Sequence, residues 1–553
     1  MNRQANFIAL SANLCLLVVV FFFQGCGQFT SRSADGVTGL GSGAVLPSKS
    51  KVRLLNAGEY MQTMNSLTGY AVTSDYSHED KSAGYTTGDR LQVEASLFES
   101  FYNDAQSATQ AYLQGKGLTD YPCLSDPGED CYSRSMLGFA EKAFRRPLSS
   151  EQIAELSALK TELDGLETLD ASEKFQLLLT RILVSPSFLY RMEYGYGQSS
   201  EGIPQLDAFE KASFISYTLT GDAPDEELYA VAKNGELVGD NISTQVQRLL
   251  NSEKAQDHLV SFFKDWLHLD NLDSMATNPD QFTKFESLEV GPALKQEFSE
   301  FIKQVVFNQK GSLVDLMTTR ETFANQHTAS FYGASASGDA MTAIDMGPNR
   351  SGILTLASVM SSHGSRTTAE VDNPAQRGIV LKERLLCETV GIPSGLDTAT
   401  ASENILERFP EFESLPIRRQ SEIVMNQGES CIQCHAQFMP LGYVFSKFDA
   451  SGQFQQTQRG EPINSSVTVI VDGRSADFEG ASDFLPDLAT EPLMHKCFSQ
   501  QMASFVSGSA EESGEGNLKT LFHQHLQAEG LGIASALAQT LSDPKLFQRR
   551  REQ

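Results

Sequence analysis

The sequence is poor in basic residues, has one tryptophan and shows almost no strand-like patterning. Over 553 residues, 43 Lys and Arg stand against 70 Asp and Glu, for a formal net charge of −27. A phosphate backbone needs a basic face, so this balance argues against a nucleic-acid partner. No G-x-S-x-G, H-E-x-x-H or phosphate-binding loop occurs, which makes a hydrolase the weakest reading. No repeat of fixed period stands out. Beyond Phe23 there is no second long apolar run, so the body reads as soluble. With 40 % hydrophobic and 9 % aromatic residues, the chain can build a core and is not disordered. Its length predicts more than one domain. The 8 cysteines leave disulfides, a metal, a heme or a lipid anchor open.

The N-terminus has the form of an export signal. Arg3 is the one charged residue in the first 25, and Phe7 to Phe23 run almost wholly apolar. That run sits where a secretory h-region sits and is short for a transmembrane helix. Gln24-Gly25-Cys26-Gly27 follows directly. A small residue before Cys at this place resembles a bacterial lipoprotein box, although Phe23 and Gln24 depart from it. This reading removes Cys15, acylates Cys26 and takes the mature charge to −28 by loss of Arg3. An ordinary cleaved signal or a membrane anchor is the alternative. Residues 27–50 are Gly- and Ser-rich without periodicity, the composition of a flexible tether.

The body reads as helical. In 294–307, Leu294, Phe298, Phe301, Ile302, Val305 and Val306 form one apolar stripe. Helical spacing also covers 136–144, 151–163, 173–184, 206–220 and 245–269, with Ser149 or Ser150 as N-cap of the second of these. Trp266 lies at helical spacing with Phe262 and Phe263, a core pattern. The best strand signal is 465–478, where Val467, Val469 and Val471 alternate and Asp472-Gly473 supplies a tight turn. Stretches 271–285, 325–350 and 390–405 read as surface loops.

The remaining cysteines sort by place. Cys123 and Cys131 lie in a turn-rich acidic loop, and a short bridge would suit an exported protein. Cys387 and Cys497 each sit in an apolar, helix-like segment and form a second candidate pair. In both cases two thiols are the alternative. The last group is Cys431-Ile432-Gln433-Cys434-His435, the attachment pattern of c-type heme. Two thiols on one helical turn add to the two heme vinyl groups, and the following His reaches the iron. Chance occurrence from composition is ~0.002. A redox-active disulfide and a zinc site are the other uses of such a cluster. A six-coordinate iron needs a distal ligand, for which His363 and Met494 are candidates of equal rank. Met439 follows too closely, before Pro440. His495 is a further, weaker choice, and a five-coordinate iron is allowed.

Several motifs occur in a fixed order. They begin with Arg53-Leu54-Leu55-Asn56 through Glu59-Tyr60 and Leu67-Thr68-Gly69. Ala143-Phe144-Arg145-Arg146-Pro147-Leu148 follows, then Leu183-Val184-Ser185-Pro186-Ser187-Phe188-Leu189-Tyr190-Arg191. Further on come Arg350-Ser351-Gly352, Gln376-Arg377-Gly378, the Cys-x-x-Cys-His pentad, Pro440-Leu441-Gly442 and Ser542-Asp543-Pro544 through Arg549. On these motifs the chain, from about residue 51 to its end, resembles a family of exported bacterial proteins of unknown function. That family is abundant in planctomycetes and myxobacteria. It has five uncharacterised modules and a cytochrome-c-like motif near the C-terminus. Here Thr218-Leu219-Thr220 replaces the family's Phe-Leu-Trp. The resemblance implies export and a heme c site and supplies no substrate. Arg145, Arg146, Arg191 and Arg377 read as structural.

The expected fold is mainly α: a multi-module helical body with a cytochrome-c-like heme region and a small β-hairpin near the C-terminus. The expected segments are a signal peptide (1–25), a lipid-anchored tether (26–50), helical modules at 51–122, 123–200 and 201–340, a heme-motif module (341–460) and a helical module with the hairpin (461–553). The leading functional reading is a cell-envelope heme protein with one covalent heme c on Cys431, Cys434 and His435. It would be lipid-anchored, placed at the outer membrane, and engaged in electron transfer or redox chemistry with an unknown partner or substrate. The alternative is a non-enzymatic binding or scaffold protein in which Cys431 and Cys434 form a structural disulfide.

Overall fold

The computed structural model describes residues 47–550 except 75–80, 83–84, 87–92, 126–128, 200–201, 371, 392–404, 406, 509–516 and 529. The signal segment, Cys15, Cys26 and most of the 390–405 stretch lie outside the described residues. The fold is mainly helical, and among the described residues every sheet has two strands. The chain divides into two compact units, one made of Gly41–Phe262 with Ser499–Gln553 and the other containing Phe263–Phe498.

In the first unit, local sequence signals set the helix starts. Helices Ala57–Thr68, Ser150–Asp164, Ala171–Leu183 and Ala208–Thr220 each open on a capping box. The pairs are Asn56 with Glu59, Ser149 with Gln152, Asp170 with Glu173, and Asp207 with Glu210. Each box satisfies two of the backbone donors that a helix start leaves open. Gly69 and Gly221 end the first and last of these helices at φ 77° and 63°, the left-handed region that suits glycine. Phe101, Phe139, Phe175, Leu179, Phe188 and Tyr217 are among the side chains of the shared apolar core. The 245–269 stripe is two helices, Asp240–Leu250 and Glu253–Trp266. Asn251-Ser252 breaks it, with the Ser252 hydroxyl accepting from the Ala255 amide.

Two short strand pairs gather distant parts of this unit. Lys51–Leu54 runs antiparallel to Tyr190–Glu193, and Ser48–Lys49, inside the stretch read as tether, pairs with Arg549–Arg550. The pairing brings Arg53, Arg191 and Arg549 around the buried Glu193 at 3.6, 3.2 and 3.4 Å, and Arg191 also pairs with Glu59. Burial alone would raise the Glu193 carboxyl; Lys51 and the three guanidinium groups outweigh it and bring the pKa down to about 2. Arg145 sits at φ 59° and donates to the carbonyls of Ser187, Phe188 and Tyr190 at 2.8–3.0 Å. Arg145 and Arg191 are therefore structural.

The second unit is built around Val290–Ile302, whose apolar stripe continues into a π-helical turn, Lys303–Asn308. This helix also buries Glu297, which accepts from the Tyr332 hydroxyl and, at 3.0 Å, from the Ser358 amide. The Arg350 guanidinium lies 4.5 Å over the Tyr332 ring. Two expected loops contain regular structure. Asp270–Thr277 is a helix, and Thr342–Asp345 pairs with Glu321–Ala324 as a hairpin. Neither element shows a long alternating or 3.6-residue stripe. The C-terminal hairpin is Val467–Val471 with Arg474–Phe478. Its turn residues Asp472 and Gly473 both have positive φ, 46° and 76°, as a tight type I′ connection requires.

Trp266 is fully buried, and its indole N–H donates to the Arg384 carbonyl at 2.8 Å. Arg377 is buried too, donating to the carbonyls of Phe448 and Asp449, each at 2.7 Å. Cys387 and Cys497 form a disulfide in this unit, and Cys123 and Cys131 form one in the other. Cys387 is not helical: it follows the π-helical turn Leu381–Leu385 at φ 52°. Cys497 lies in helix Pro492–Ser507.

Candidate functional site

The Cys-x-x-Cys-His pentad occupies the helix Glu429–His435. One turn separates Cys431 from Cys434, so both thiols project from one side of a short helix. Gly428 starts that helix and Ala436 ends it. The helix Ile417–Met425 precedes it and Met439–Tyr443 follows. Residues Met439–Tyr443 interlock with the helix Pro374–Val380 through two glycines. A Cβ on Gly442 would lie 1.8 Å from the Pro374 carbonyl oxygen, and one on Gly378 would lie 2.1 Å from that of Phe438. Only glycine admits this approach. The close contact fixes the backbone that leaves the pentad.

Cys434 is buried in an apolar cluster with Ala375, Phe438, Met439 and Tyr443, and Met425 packs against that cluster. Cys431 is partly exposed, and Ile432 between the two thiols is 46 % exposed. Neither cysteine is in a disulfide, although the four other described cysteines are paired. His435 is half-buried, and burial lowers its pKa from the ordinary value. Its ring is therefore neutral at pH 7, the form that binds a metal. Its Nδ1 is buried with no hydrogen-bond partner, which costs free energy unless another group uses the ring. The ring lies 5.3 Å from that of Phe438. Two thiols that are not oxidised to a disulfide and a neutral imidazole, all on one helix, fit the donor set of a covalent heme.

The distal candidates have separate environments. His363 is buried, its Nε2 lies 2.9 Å from the Leu267 carbonyl oxygen, and burial first and Arg377 next bring its pKa to about 4. A carbonyl can only accept, so the proton sits on Nε2. Met494 is fully buried in helix Pro492–Ser507 and is not a member of the cluster around Cys434. His495 Nε2 lies 2.8 Å from the Ala489 carbonyl oxygen. The methionines beside Cys434 are Met439, set aside for its short distance from the pentad and the Pro440 that follows it, and Met425, which no sequence signal marked. Among the described residues, no group of three or more His, Cys, Asp or Glu converges as a metal site, so a zinc site lacks its further ligands there.

The site thus belongs to a mainly helical, multi-module chain with one thiol–imidazole helix. Three of its segments match models of protein families. Residues 131–193 match "Protein of unknown function (DUF1595)", 206–334 match "Protein of unknown function (DUF1592)" and 350–458 match "Protein of unknown function (DUF1588)". The third span contains the Cys431–His435 helix. These are three of the five modules that the resemblance implies. No curated protein and no solved structure matches the chain.

Proposed function

We propose that this chain is a c-type heme protein of the cell envelope that passes electrons or carries out redox chemistry on an unknown substrate. The observation that carries the reading is the helix Glu429–His435, which presents Cys431, Cys434 and His435 together, with neither cysteine in a disulfide and His435 Nδ1 buried without a hydrogen-bond partner. Bound there, heme would supply one-electron chemistry at its iron. Cys431 and Cys434 would hold the macrocycle through thioether bonds, and His435 would be the proximal ligand. The chain's own part is to keep these groups on one rigid turn. The cluster of Ala375, Phe438, Met439 and Tyr443 holds Cys434 dry. Burial of His435 lowers its pKa and so favours the neutral ring, the form that ligates a metal.

Export and a lipid on Cys26 belong to the same proposal and rest on the sequence of residues 1–27. An acidic body on a Gly/Ser tether would stand off a membrane surface. The family models carry no activity, so the substrate and the electron partner stay unnamed. In the scaffold alternative Cys431 and Cys434 would instead form a structural disulfide.

The test is in-gel peroxidase staining of the full chain, exported from a host with heme-attachment machinery. A stained band that survives denaturation, and disappears when Cys431 and Cys434 are both changed to Ala, is the expected result. An unstained wild-type band with a 431–434 disulfide supports the scaffold reading instead.

A further inference from the structure

Two of the sequence signatures meet at a pocket in the first unit. Residues of Phe144–Leu148 and of Ser187–Arg191 line a cavity of about 440 Å³, with Gln152, Tyr196, Phe209 and Ser213. That volume is within the ~300–1,000 Å³ of small-molecule sites. Of the arginines in these signatures, Arg145 and Arg191 are buried, whereas the Arg146 side chain is 34 % exposed.

Tyr194 and Tyr196 are 44 % and 57 % exposed and stack with ring centroids 5.4 Å apart. Large aromatic rings left in water are informative, because burying them would stabilise the fold. The rings stand on a fixed turn. The Glu210 carboxylate accepts from the amides of Tyr194, Gly195 and Tyr196 at 2.8, 3.1 and 3.1 Å. Gly197 then pairs with Gln205. The Arg146 guanidinium lies 5.5 Å from the centre of the Tyr196 ring and pairs with Asp207 at 2.9 Å. Tyr196 is therefore oriented in advance of any ligand.

The wall chemistry selects a class. The Arg146 charge is compensated by Asp207, so an ion of either sign gains little from it. The cavity that Tyr196 lines also holds the hydroxyls of Ser149, Ser187 and Ser213 and the Gln152 amide; Ser149 Oγ accepts from the Gln152 backbone amide and Ser187 Oγ from Gln152 Nε2, which leaves each hydroxyl proton to donate. A pyranose ring has this pairing of needs, with one apolar C–H face and a rim of hydroxyls. We propose that this pocket is a binding site for a neutral carbohydrate, with the exposed edge of Tyr196 as its apolar wall and Arg146, Gln152 and the serines as hydroxyl partners.

The experiment screens the full chain on a printed array of neutral and acidic glycans and titrates the best neutral oligosaccharide by calorimetry. A neutral oligosaccharide should bind. Tyr196→Ala should weaken it about tenfold, whereas Tyr196→Phe, which keeps the ring, should retain it. The side chain is more than half exposed, so the melting temperature should not move, and Tyr194→Ala provides a second exposed variant. The proposal is overturned if no neutral glycan binds, if only acidic glycans bind, or if both alanine variants bind as the wild type does.

Discussion

Lys284 offers a sharp test of the packing in the second unit. Its ammonium is buried and donates to the carbonyls of Ser361 and Ala450 at 2.6 and 2.8 Å. Burial first, and Arg377 next, push its pKa down from 10.5 to about 7, against a smaller opposing pull from Asp449. The neutral amine still has two N–H groups for the two carbonyls, so deprotonation breaks neither bond. Between pH 7 and 10.5 the unfolded chain binds more protons at this lysine than the folded one. Stability must therefore rise with pH across that window. For pKa values of about 7 and 10.5, the gain from pH 7 to pH 9 is about 2 kcal/mol. Lys284→Met keeps the stem and removes the titration. Urea unfolding of both proteins at pH 7, 8 and 9 isolates the effect, because every other alkaline group is common to both. The wild type should gain about 2 kcal/mol relative to the variant. Parallel pH profiles would show that Lys284 is not held in this environment.

Three further outcomes follow from named contacts. The Cys387–Cys497 bond closes a separation of 110 residues, against 8 for Cys123–Cys131. Chain entropy then assigns the long bridge ~4.7 kcal/mol and the short one about half of that, so the Cys387→Ser, Cys497→Ser double variant should lose more stability in denaturant than the Cys123→Ser, Cys131→Ser one. Arg191→Met leaves Glu59 short of its buried partner and should cost about 3–5 kcal/mol in thermal or urea unfolding. Gly442→Ala places a methyl group 1.8 Å from the Pro374 carbonyl oxygen. It should lower the melting temperature and loosen protection from hydrogen exchange over 374–380 and 439–443.

Helix content was legible because apolar spacing and caps agree. Ser149 caps its helix, and the stripes at 206–220 and 173–184 match helices Ala208–Thr220 and Ala171–Leu183 within two residues. The hairpin at Val467–Phe478 was legible because alternation and Asp-Gly occur together. Asp270–Thr277 was hidden because eight residues carry too short a stripe, and its burial of Leu272 and Met275 comes from tertiary packing. The buried Glu297–Tyr332–Arg350 group joins residues from separate elements, with Glu297 and Tyr332 35 apart in sequence, and Arg549 reaches Glu193 across 356 residues. No local pattern announces such pairings. At the candidate site, the pentad was legible from its spacing alone. What the sequence could not show is that Met425 and Met439, rather than Met494, lie in the cluster around Cys434. That neighbourhood depends on the interlock of Gly378 and Gly442.

The most direct measurement of the heme reading is the absorption spectrum of the exported full chain, oxidised and then reduced with dithionite, beside His435→Ala. A Soret band with the sharpened visible bands of a reduced c-type heme, altered in the variant while the far-ultraviolet circular dichroism is unchanged, is the predicted result. A chain made with heme-attachment machinery present that shows no Soret band would contradict the assignment of Cys431, Cys434 and His435 to heme.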